Sequence, residues 1–259
     1  MTLAAWAIAA LPLMTVGIVV YASFVWLWPY RFDLTFRHYD VKVAGGYDPL
    51  WMTVEISLIA AVLGTVLLFA LALAMQRLPR SLAKPVYFLC LLPASVPGLV
   101  LGLSYIFAFN NPALPFYALY GTATLLAICN AIHYWTQGFL TTVTGLRQVP
   151  PALQESAACL GAGLPRIVRD VIGPYMMPTL ISVFFFLFMR SMVTLSAIIF
   201  LVSATVSVAA VSVMRLDEAG FTSQAAAYAT CTMGIVIAAL LAMKAALWLM
   251  ARRRSPHAV

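Results

Sequence analysis

Long stretches without a charged side chain constrain this chain more than any other feature of its sequence. No Asp, Glu, Lys or Arg occurs in four segments, residues 1–30, 56–76, 85–146 and 219–243. A helix that crosses the hydrocarbon core of a bilayer needs about 20 mostly apolar residues, and each segment is long enough to supply one. The sequence therefore predicts an all-α polytopic membrane protein, with a single transmembrane domain over residues 1–259.

The composition agrees with a membrane location. Hydrophobic residues make up 64% of the 259 residues and charged residues 9%, against roughly 45–50% and 25% in soluble domains. So few charges argue against a soluble enzyme, a secreted disulfide scaffold and a disordered tail. We expect no disulfide and no metal site from the four cysteines, which fall in predicted spans or on the predicted cytoplasmic side: Cys90, Cys129, Cys159 and Cys231.

Turn signals divide the longer apolar stretches into six predicted transmembrane helices. Asn110, Asn111 and Pro112 break the run 85–146. Arg190 is the only charged residue in the stretch 171–214. One helix over that length would be about 66 Å long, twice the hydrocarbon thickness. We therefore predict one span with Arg190 inside it, followed by a stretch, 201–216, that lies at the surface or re-enters. The predicted spans are 3–28, 51–76, 86–109, 116–138, 176–200 and 225–250.

The distribution of charge orients these spans. The even-numbered connections and the C-terminal end carry ten positive charges but only two acids, Glu155 and Asp170; the positives are Arg77, Arg80, Lys84, Arg147, Arg166, Arg169, Lys244, Arg252, Arg253 and Arg254. The odd-numbered connections carry four positives and five acids. This positive-inside bias predicts that the N- and C-termini are both cytoplasmic. Because no basic patch is interleaved with exposed aromatics, we expect no nucleic-acid partner.

Motifs of catalysis are missing from the chain. It contains no Gly-x-x-x-x-Gly-Lys-Ser/Thr phosphate loop, no Gly-x-Gly-x-x-Gly fingerprint, no His-Glu-x-x-His helix and no Gly-x-Ser-x-Gly elbow. We therefore expect that this chain is not an enzyme and binds no cofactor. If ATP drives its activity, ATP and Mg²⁺ bind to another chain.

The predicted cytoplasmic connection 139–175 is too ordered for a flexible linker. Pro150 and Pro151 favour the start of a short helix, and Gly161-Ala162-Gly163 interrupts it. A second short helix is expected from Leu164-Pro165 until Gly173-Pro174 ends it. Two interpretations are open: a structured loop that caps the bundle, or a rigid projection that binds a cytoplasmic partner.

This connection resembles the signature of bacterial binding-protein-dependent ABC transporter permeases, Glu-Ala-Ala-x3-Gly-x9-Ile-x-Leu-Pro. With the same spacing, the chain has Glu155, Ser156, Ala157, Gly161, Val171, Ile172, Gly173 and Pro174. Ser156 replaces an alanine, Val171 an isoleucine and Gly173 a leucine. Residues 92–103, Leu-Pro-Ala-Ser-Val-Pro-Gly-Leu-Val-Leu-Gly-Leu, also resemble the third span of permeases for iron, polyamines and phosphonates.

The resemblance implies a type I ABC importer permease in the bacterial inner membrane. In that family the cytoplasmic loop forms coupling helices that sit in a groove of the ATPase subunit. Two permease subunits, of the same or different chains, form the pathway through the bilayer. A cytoplasmic ATPase dimer binds ATP and Mg²⁺, and a periplasmic solute-binding protein delivers the substrate. By this resemblance, Glu155 and Gly161 belong to the ATPase-coupling loop; alternatively, Glu155 only stabilises its own helix.

Two charges, Glu55 and Arg190, are expected at membrane depth. Intramembrane charges are costly and usually face a bundle interior or water. Arg190 is a candidate pathway residue that pairs with Glu55 or contacts an anionic substrate; the alternative is a hydrogen bond to backbone carbonyls. Glu55 is a second candidate, with a simple interfacial position as the alternative.

The substrate is assigned here only by resemblance. Residues 36–39, 45–47, 194–201, 209–213 and 217–220 resemble permeases for 2-aminoethylphosphonate, with ferric iron and then polyamines as alternatives. A secondary transporter is the main rival class, but it would be expected to show internal repeats and midplane ion ligands, and the two halves of this sequence show no repeat. A membrane-embedded enzyme is third.

Overall fold

In a computed structural model of the chain, the described residues are 2–42, 45–203 and 206–254, and the side chains of residues 2–5, 7, 9, 253 and 254 are not included. Arg253 and Arg254, which contribute to the predicted cytoplasmic charge, thus lie outside the described side chains. The chain divides into two compact units. The first comprises residues 1–54 and 202–237, and the second residues 55–201 and 238–259.

The described residues form eleven α-helices and one two-stranded sheet. In chain order they are α1 Thr2–Phe24, β1 Val25–Leu27, β2 Arg31–Leu34, α2 Asp48–Met75, α3 Arg80–Leu91, α4 Gly98–Phe109, α5 Ala123–His133, α6 Trp135–Arg147, α7 Pro151–Cys159, α8 Leu164–Ile167, α9 Gly173–Met192, α10 Ala209–Glu218 and α11 Thr222–Arg254. Helix dominates, as expected for a chain whose backbone polar groups must bond to one another inside a bilayer.

Ring stacking and hydrogen bonds hold the first unit together. Tyr47 stacks on Tyr228 with ring centroids 5.5 Å apart, and its hydroxyl donates to the Tyr39 carbonyl oxygen at 2.8 Å. Burial raises the pKa of the Tyr47 phenol above its usual range, so the group stays protonated and keeps its role as a donor. The Ala209 amide donates to Thr53 Oγ1 at 2.7 Å and so anchors the start of α10.

In the second unit, glycines let helices approach closely. A Cβ at Gly138 would lie 2.5 Å from Leu68 Cδ1, and one at Gly64 would lie 2.6 Å from Leu187 Cδ1. Small residues at such crossings allow the van der Waals packing that holds membrane helices together. These contacts place α2, α6 and α9 side by side in this unit.

The predicted span 86–109 is built from two helices that meet at a sharp bend. The chain forms α3, a 3-10 turn over Leu92–Ser95, and then α4, and the two helical parts are bent by 107°. Pro93 and Pro97 lack the amide hydrogen that an uninterrupted helix needs. The residue before a proline avoids the helical region, and Val96 is accordingly extended, with ψ at 120°.

The predicted span 176–200 also differs from the structure. A helical segment runs from Leu164 to Met192, so Gly173 and Pro174 do not end a helix as predicted. A π turn over Val168–Ile172 precedes them, and this wider turn accommodates the proline that would clash in a regular helix. Because α9 ends at Met192, Arg190 lies in its last turn and not in mid-span.

The remaining predicted spans are matched to different degrees. Helices α2 and α11 cover the predicted spans 51–76 and 225–250. The predicted span 3–28 ends early, since α1 stops at Phe24 and a strand follows. In place of 116–138, a 3-10 turn and α5 are followed by α6, which continues to Arg147. By length and apolarity, three described helices are able to cross a membrane, or four if the bent pair α3–α4 is one span.

We predict that Gly102→Ala destabilises the protein and that Gly234→Ala does not. A Cβ at position 102 would lie 2.5 Å from the backbone oxygen of Ala197, so the backbone must shift, at a cost of about 1–3 kcal/mol. A Cβ at position 234 meets nothing within 4 Å, and alanine is the better helix former. Thermal unfolding of both variants in detergent measures the difference; equal midpoints would contradict the close α4 contact.

Candidate functional site

The first candidate site is a compact projection, residues 150–172, which we call the knob. Helix α7 begins with Pro151 at its first position, where a missing amide hydrogen costs nothing. It ends at Cys159, and Gly161, two residues later, has a φ of 75° in the left-handed region. The Ala162 amide donates to the Ala157 oxygen at 3.0 Å and the Gly161 amide to the Ala158 oxygen at 2.9 Å. This pair of hydrogen bonds is a Schellman motif, which reverses the chain into α8.

The inner side of the knob is anchored in a hydrophobic cluster. Ile167 and Ile172 are buried there with Leu146, Val149 and Met176. Ala157 and Val171 pack partly buried against the same cluster. Because these side chains come from α6, α7, α8 and α9, a force on the knob is transmitted to the helices that carry it.

The outer side of the knob carries both charge and apolar surface. Glu155 is exposed and takes part in no hydrogen bond or ion pair among the residues that the structure describes. Leu160 is 89% exposed. The outer side thus offers an exposed leucine next to a carboxylate as a candidate contact surface.

The alternative role of Glu155, in stabilising its own helix, receives little support from the geometry. The first turn of α7 contains no acidic residue, since Glu155 follows Pro151 by four positions. The helix dipole acts on charges within the first turn. Ser156, its neighbour, instead bonds locally, with Oγ donating to the Ala152 oxygen at 2.7 Å.

The residues of the predicted coupling loop thus separate into two groups. Glu155, Ser156 and Gly161 are exposed on the outer side. Ala157 and Val171 contact the cluster beneath. Pro174 lies beyond the knob, in the first turn of α9. The predicted motif therefore combines a surface with its supporting core.

The second candidate site surrounds Arg190. Its guanidinium carbon lies 5.1 Å from the centroid of the Tyr134 ring, a cation–π contact. Thr194 Oγ1 donates to the Arg190 oxygen at 2.7 Å, and the Tyr134 hydroxyl lies 2.8 Å from Thr194 Oγ1. The break between α5 and α6 at Tyr134 and the end of α9 thus meet through one polar network.

Further polar groups adjoin this network. Asn130 Nδ2 donates to Ser191 Oγ at 2.7 Å, and the His133 ring lies 4.6 Å from the Tyr134 ring. Asn130 Oδ1 and His133 Nδ1 are buried and lack a hydrogen-bond partner among the described residues. Buried polar atoms are normally paired, so these two atoms are suited to bind water.

The predicted pairing of Arg190 with Glu55 is absent from the described part of the chain. Both side chains are exposed, and no ion pair between them occurs among the described residues. The Tyr134 ring takes the place of the predicted carboxylate or carbonyl partners. Reasoning from sequence missed Asn130, Tyr134 and Thr194. The spacing of Asn130, His133 and Tyr134 places them on one helix face, which is the signal that would have found two of them.

Comparisons with known proteins agree on one family. The family described as "Binding-protein-dependent transport system inner membrane component" matches residues 66–254. The ferric transport system permease protein FbpB of Actinobacillus pleuropneumoniae is 30% identical over 230 residues, which are 87% of this chain and 33% of that protein. The putative ferric transport system permease protein FbpB 1 of Haemophilus influenzae is 32% identical over 193 residues, 73% of this chain and 30% of that protein.

This chain therefore spans about a third of the length of these curated relatives. Among solved structures, a crystal structure of a bacterial ABC transporter involved in the import of the acidic polysaccharide alginate matches with a TM-score of 0.70. The match covers 95% of this chain and 96% of that chain at 17% sequence identity, so the two share a fold.

We predict that Gly161→Val destabilises the knob and that Gly161→Asn does so much less. A β-branched residue is strained at a φ of 75°, whereas asparagine tolerates the left-handed region. The expected cost is about 1–2 kcal/mol for valine. Limited proteolysis at residues 150–172 measures the effect; equal cleavage of both variants and the parent would contradict the left-handed turn.

Proposed function

Because this chain belongs to the family of binding-protein-dependent transport system inner membrane components, we propose that it is the permease subunit of an ATP-driven ABC importer. The family is a transport component and not a catalytic enzyme. The observation that carries the proposal is the knob, an exposed surface with Glu155 and Leu160 above a buried anchor. In this proposal a separate ATPase dimer binds ATP and Mg²⁺ and docks on that surface.

The continuity of the helix from Leu164 to Met192 supports the coupling mechanism. Its first turns belong to the knob and its last turn carries Arg190, about 40 Å away at 1.5 Å per residue. When the ATPases close on ATP, a rigid push on the knob moves this helix as a unit. The displacement reaches Ser191 and Thr194, which bond to the polar cluster. Closure of the ATPases thereby switches the pathway between its inward-facing and outward-facing states.

We place the chain in the bacterial inner membrane with six spans and both termini in the cytoplasm. The spans in this proposal are α1, α2, the bent pair α3–α4, α5 with α6, the helix Leu164–Met192, and α11. The support is the charge asymmetry, ten positives against four, which puts the knob on the cytoplasmic side. A second permease subunit completes the pathway.

In this predicted orientation the connection that follows α1 is periplasmic and would receive the periplasmic binding protein. There the β1–β2 hairpin and the following turn bring Arg31 and Arg37 within 5.6 and 5.5 Å of the Trp26 ring centroid. Arg31 also forms an ion pair with Asp33, so cationic and acidic groups both lie around this exposed aromatic ring. Such mixed charges would offer ion-pairing positions to the binding protein.

For the substrate we propose ferric iron in place of 2-aminoethylphosphonate. The names of the curated relatives support iron, at 28–32% identity, and none of them names a phosphonate. A positive Arg190 repels a bare cation. We therefore expect iron to pass the polar cluster with anionic ligands bound.

Docking on the knob predicts protection of one thiol. Cys159 is the exposed cysteine, whereas Cys90 and Cys129 are buried and Cys231 is partly buried. We expect a membrane-impermeant maleimide to label Cys159 in inside-out vesicles but not in intact cells. Co-production of the partner ATPase should reduce labelling several-fold, because Leu160 and Glu155 lie next to the thiol. Mass spectrometry of the labelled peptide measures this, with Cys159→Ser as the blank.

Charge-reversal variants test whether the protection of Cys159 depends on docking through Glu155. Glu155→Lys should abolish the protection, whereas Glu218→Lys, the same reversal on an exposed carboxylate of α10, should retain it. Protection that survives Glu155→Lys would contradict the docking role of that residue. Labelling from outside intact cells would contradict the proposed orientation.

Uptake by cells that produce the whole transporter tests the substrate. We expect accumulation of radioactive ferric iron that excess 2-aminoethylphosphonate does not inhibit. Arg190→Ala should lower uptake about tenfold, equivalent to the loss of about 1.4 kcal/mol of favourable contact, without loss of membrane insertion. Tyr134→Phe keeps the aromatic ring and should retain most uptake.

The outcomes distinguish the substrate from the mechanism. Energised uptake of 2-aminoethylphosphonate without iron would overturn ferric iron and leave the permease assignment standing. Uptake of either solute without the ATPase would overturn the importer proposal itself. Normal uptake by Arg190→Ala would remove that residue from the pathway.

A further inference from the structure

An open groove beside α3 combines two positive side chains with an apolar floor. Its volume is about 420 Å³, and it is lined by Lys84 and Arg147 together with Met75, Tyr87, Phe88 and Leu91. Neither the coupling mechanism nor the pathway uses this groove. It lies wholly within the second unit, between residues of α2, α3 and α6.

Packing of α3 against α6 accounts for the meeting of the two cations. Thr136 Oγ1 donates to the Cys90 oxygen at 2.9 Å, and farther along, the Tyr87 and Phe139 rings meet at 5.5 Å. The chain numbers fall in α3 as they rise in α6, so the two helices are antiparallel. Continuing in this direction, Lys84 and Arg147 reach the same end of the helix pair.

The charges in this groove are not neutralised by the protein. None of the lining residues is acidic. Lys84 and Arg147 are exposed and take part in no ion pair within the described residues. Two like charges that line one groove repel each other unless an anion lies between them.

The apolar floor of the groove makes a purely ionic ligand a poor fit. Phe88 is 63% exposed, and it lies one helical turn from Lys84 on the same helix. An inorganic anion would satisfy the cations but leave the aromatic and aliphatic side chains uncovered. An occupant that matches both parts has an anionic head and a hydrocarbon tail.

We propose that this groove binds one anionic phospholipid, with its phosphate between Lys84 and Arg147 and an acyl chain along Phe88 and Leu91. Basic pockets between membrane helices on the cytoplasmic side are suited to acidic head groups, and these two cations belong to the predicted cytoplasmic set. The proposal rests on the membrane location and orientation of the proposed function, but not on its substrate.

The position of this lipid would link the bilayer to coupling. Arg147 ends α6 and is followed closely by the knob. Its neighbour Leu146 is buried in the cluster that anchors the knob. A lipid held by Arg147 would therefore brace the base of the knob, and the coupling of ATP hydrolysis to transport would depend on acidic lipid.

Native mass spectrometry of the full chain purified in detergent tests the site directly. With phosphatidylglycerol and phosphatidylcholine of equal chain length, we expect one preferentially retained phosphatidylglycerol. The double variant Lys84→Gln/Arg147→Gln should weaken phosphatidylglycerol binding about 30-fold. Each cation contributes about 1 kcal/mol to binding, and the loss of both contributions corresponds to this change in affinity. The matched double variant Arg77→Gln/Arg80→Gln removes the same charge outside the groove and should bind normally.

A variant of the floor separates a lipid from a free anion. Phe88→Ser should weaken binding of long-chain phosphatidylglycerol several-fold, and millimolar inorganic phosphate should not displace the lipid from the parent chain. Displacement by phosphate, or equal loss in both double variants, would overturn the lipid site. If Lys84→Gln/Arg147→Gln keeps the lipid but no longer co-purifies with the ATPase, the groove is an ATPase contact and the proposal is wrong. Because binding is measured without ATP or substrate, it is independent of the importer assignment.

Discussion

One helix, from Leu164 to Met192, is the element on which the proposed coupling mechanism depends. Its beginning lies in the knob, where Ile167 and Ile172 are buried against α6 and α9 side chains. Its end presents Arg190 and Ser191 to the polar cluster. A hydrogen-bonded helix resists compression along its axis, so the two ends move together. In the proposed mechanism this helix carries a displacement from the knob to the polar cluster, and the π turn over Val168–Ile172 and the internal Pro178 are irregular points along it.

Because charged residues are scarce in this chain, their positions indicate its orientation and its candidate sites. A charge inside a bilayer is costly, so we predict that the connections rich in cations are cytoplasmic, where, we propose, Lys84 and Arg147 hold an acidic lipid. Besides Glu55, Arg190 is the charge predicted at membrane depth, and the structure surrounds it with Tyr134, Thr194 and the neighbouring Asn130. Its aromatic partner supplies an electrostatic contact without a second charge at membrane depth.

Prolines determine where the regular helices give way. Pro93 and Pro97 produce the 107° bend between α3 and α4, whereas Pro174 is absorbed by the π turn and leaves its helix continuous. The same residue type therefore has opposite effects in two predicted spans. The difference depends on the turn that precedes the proline, which sequence periodicity does not reveal.

The sequence by itself determined the membrane character and the spacing of the predicted coupling motif from Glu155 to Pro174, whereas the orientation implied by charge stays a prediction. Those features follow from the cost of moving charge into hydrocarbon and from a motif that is local in the chain. Only the tertiary structure decided that the motif comprises an exposed face and a buried anchor, that Arg190 ends a helix and contacts Tyr134, and that Lys84 meets Arg147 above an apolar floor. Each of these depends on which helix faces which, and side chains far apart in sequence meet only after the helices have packed.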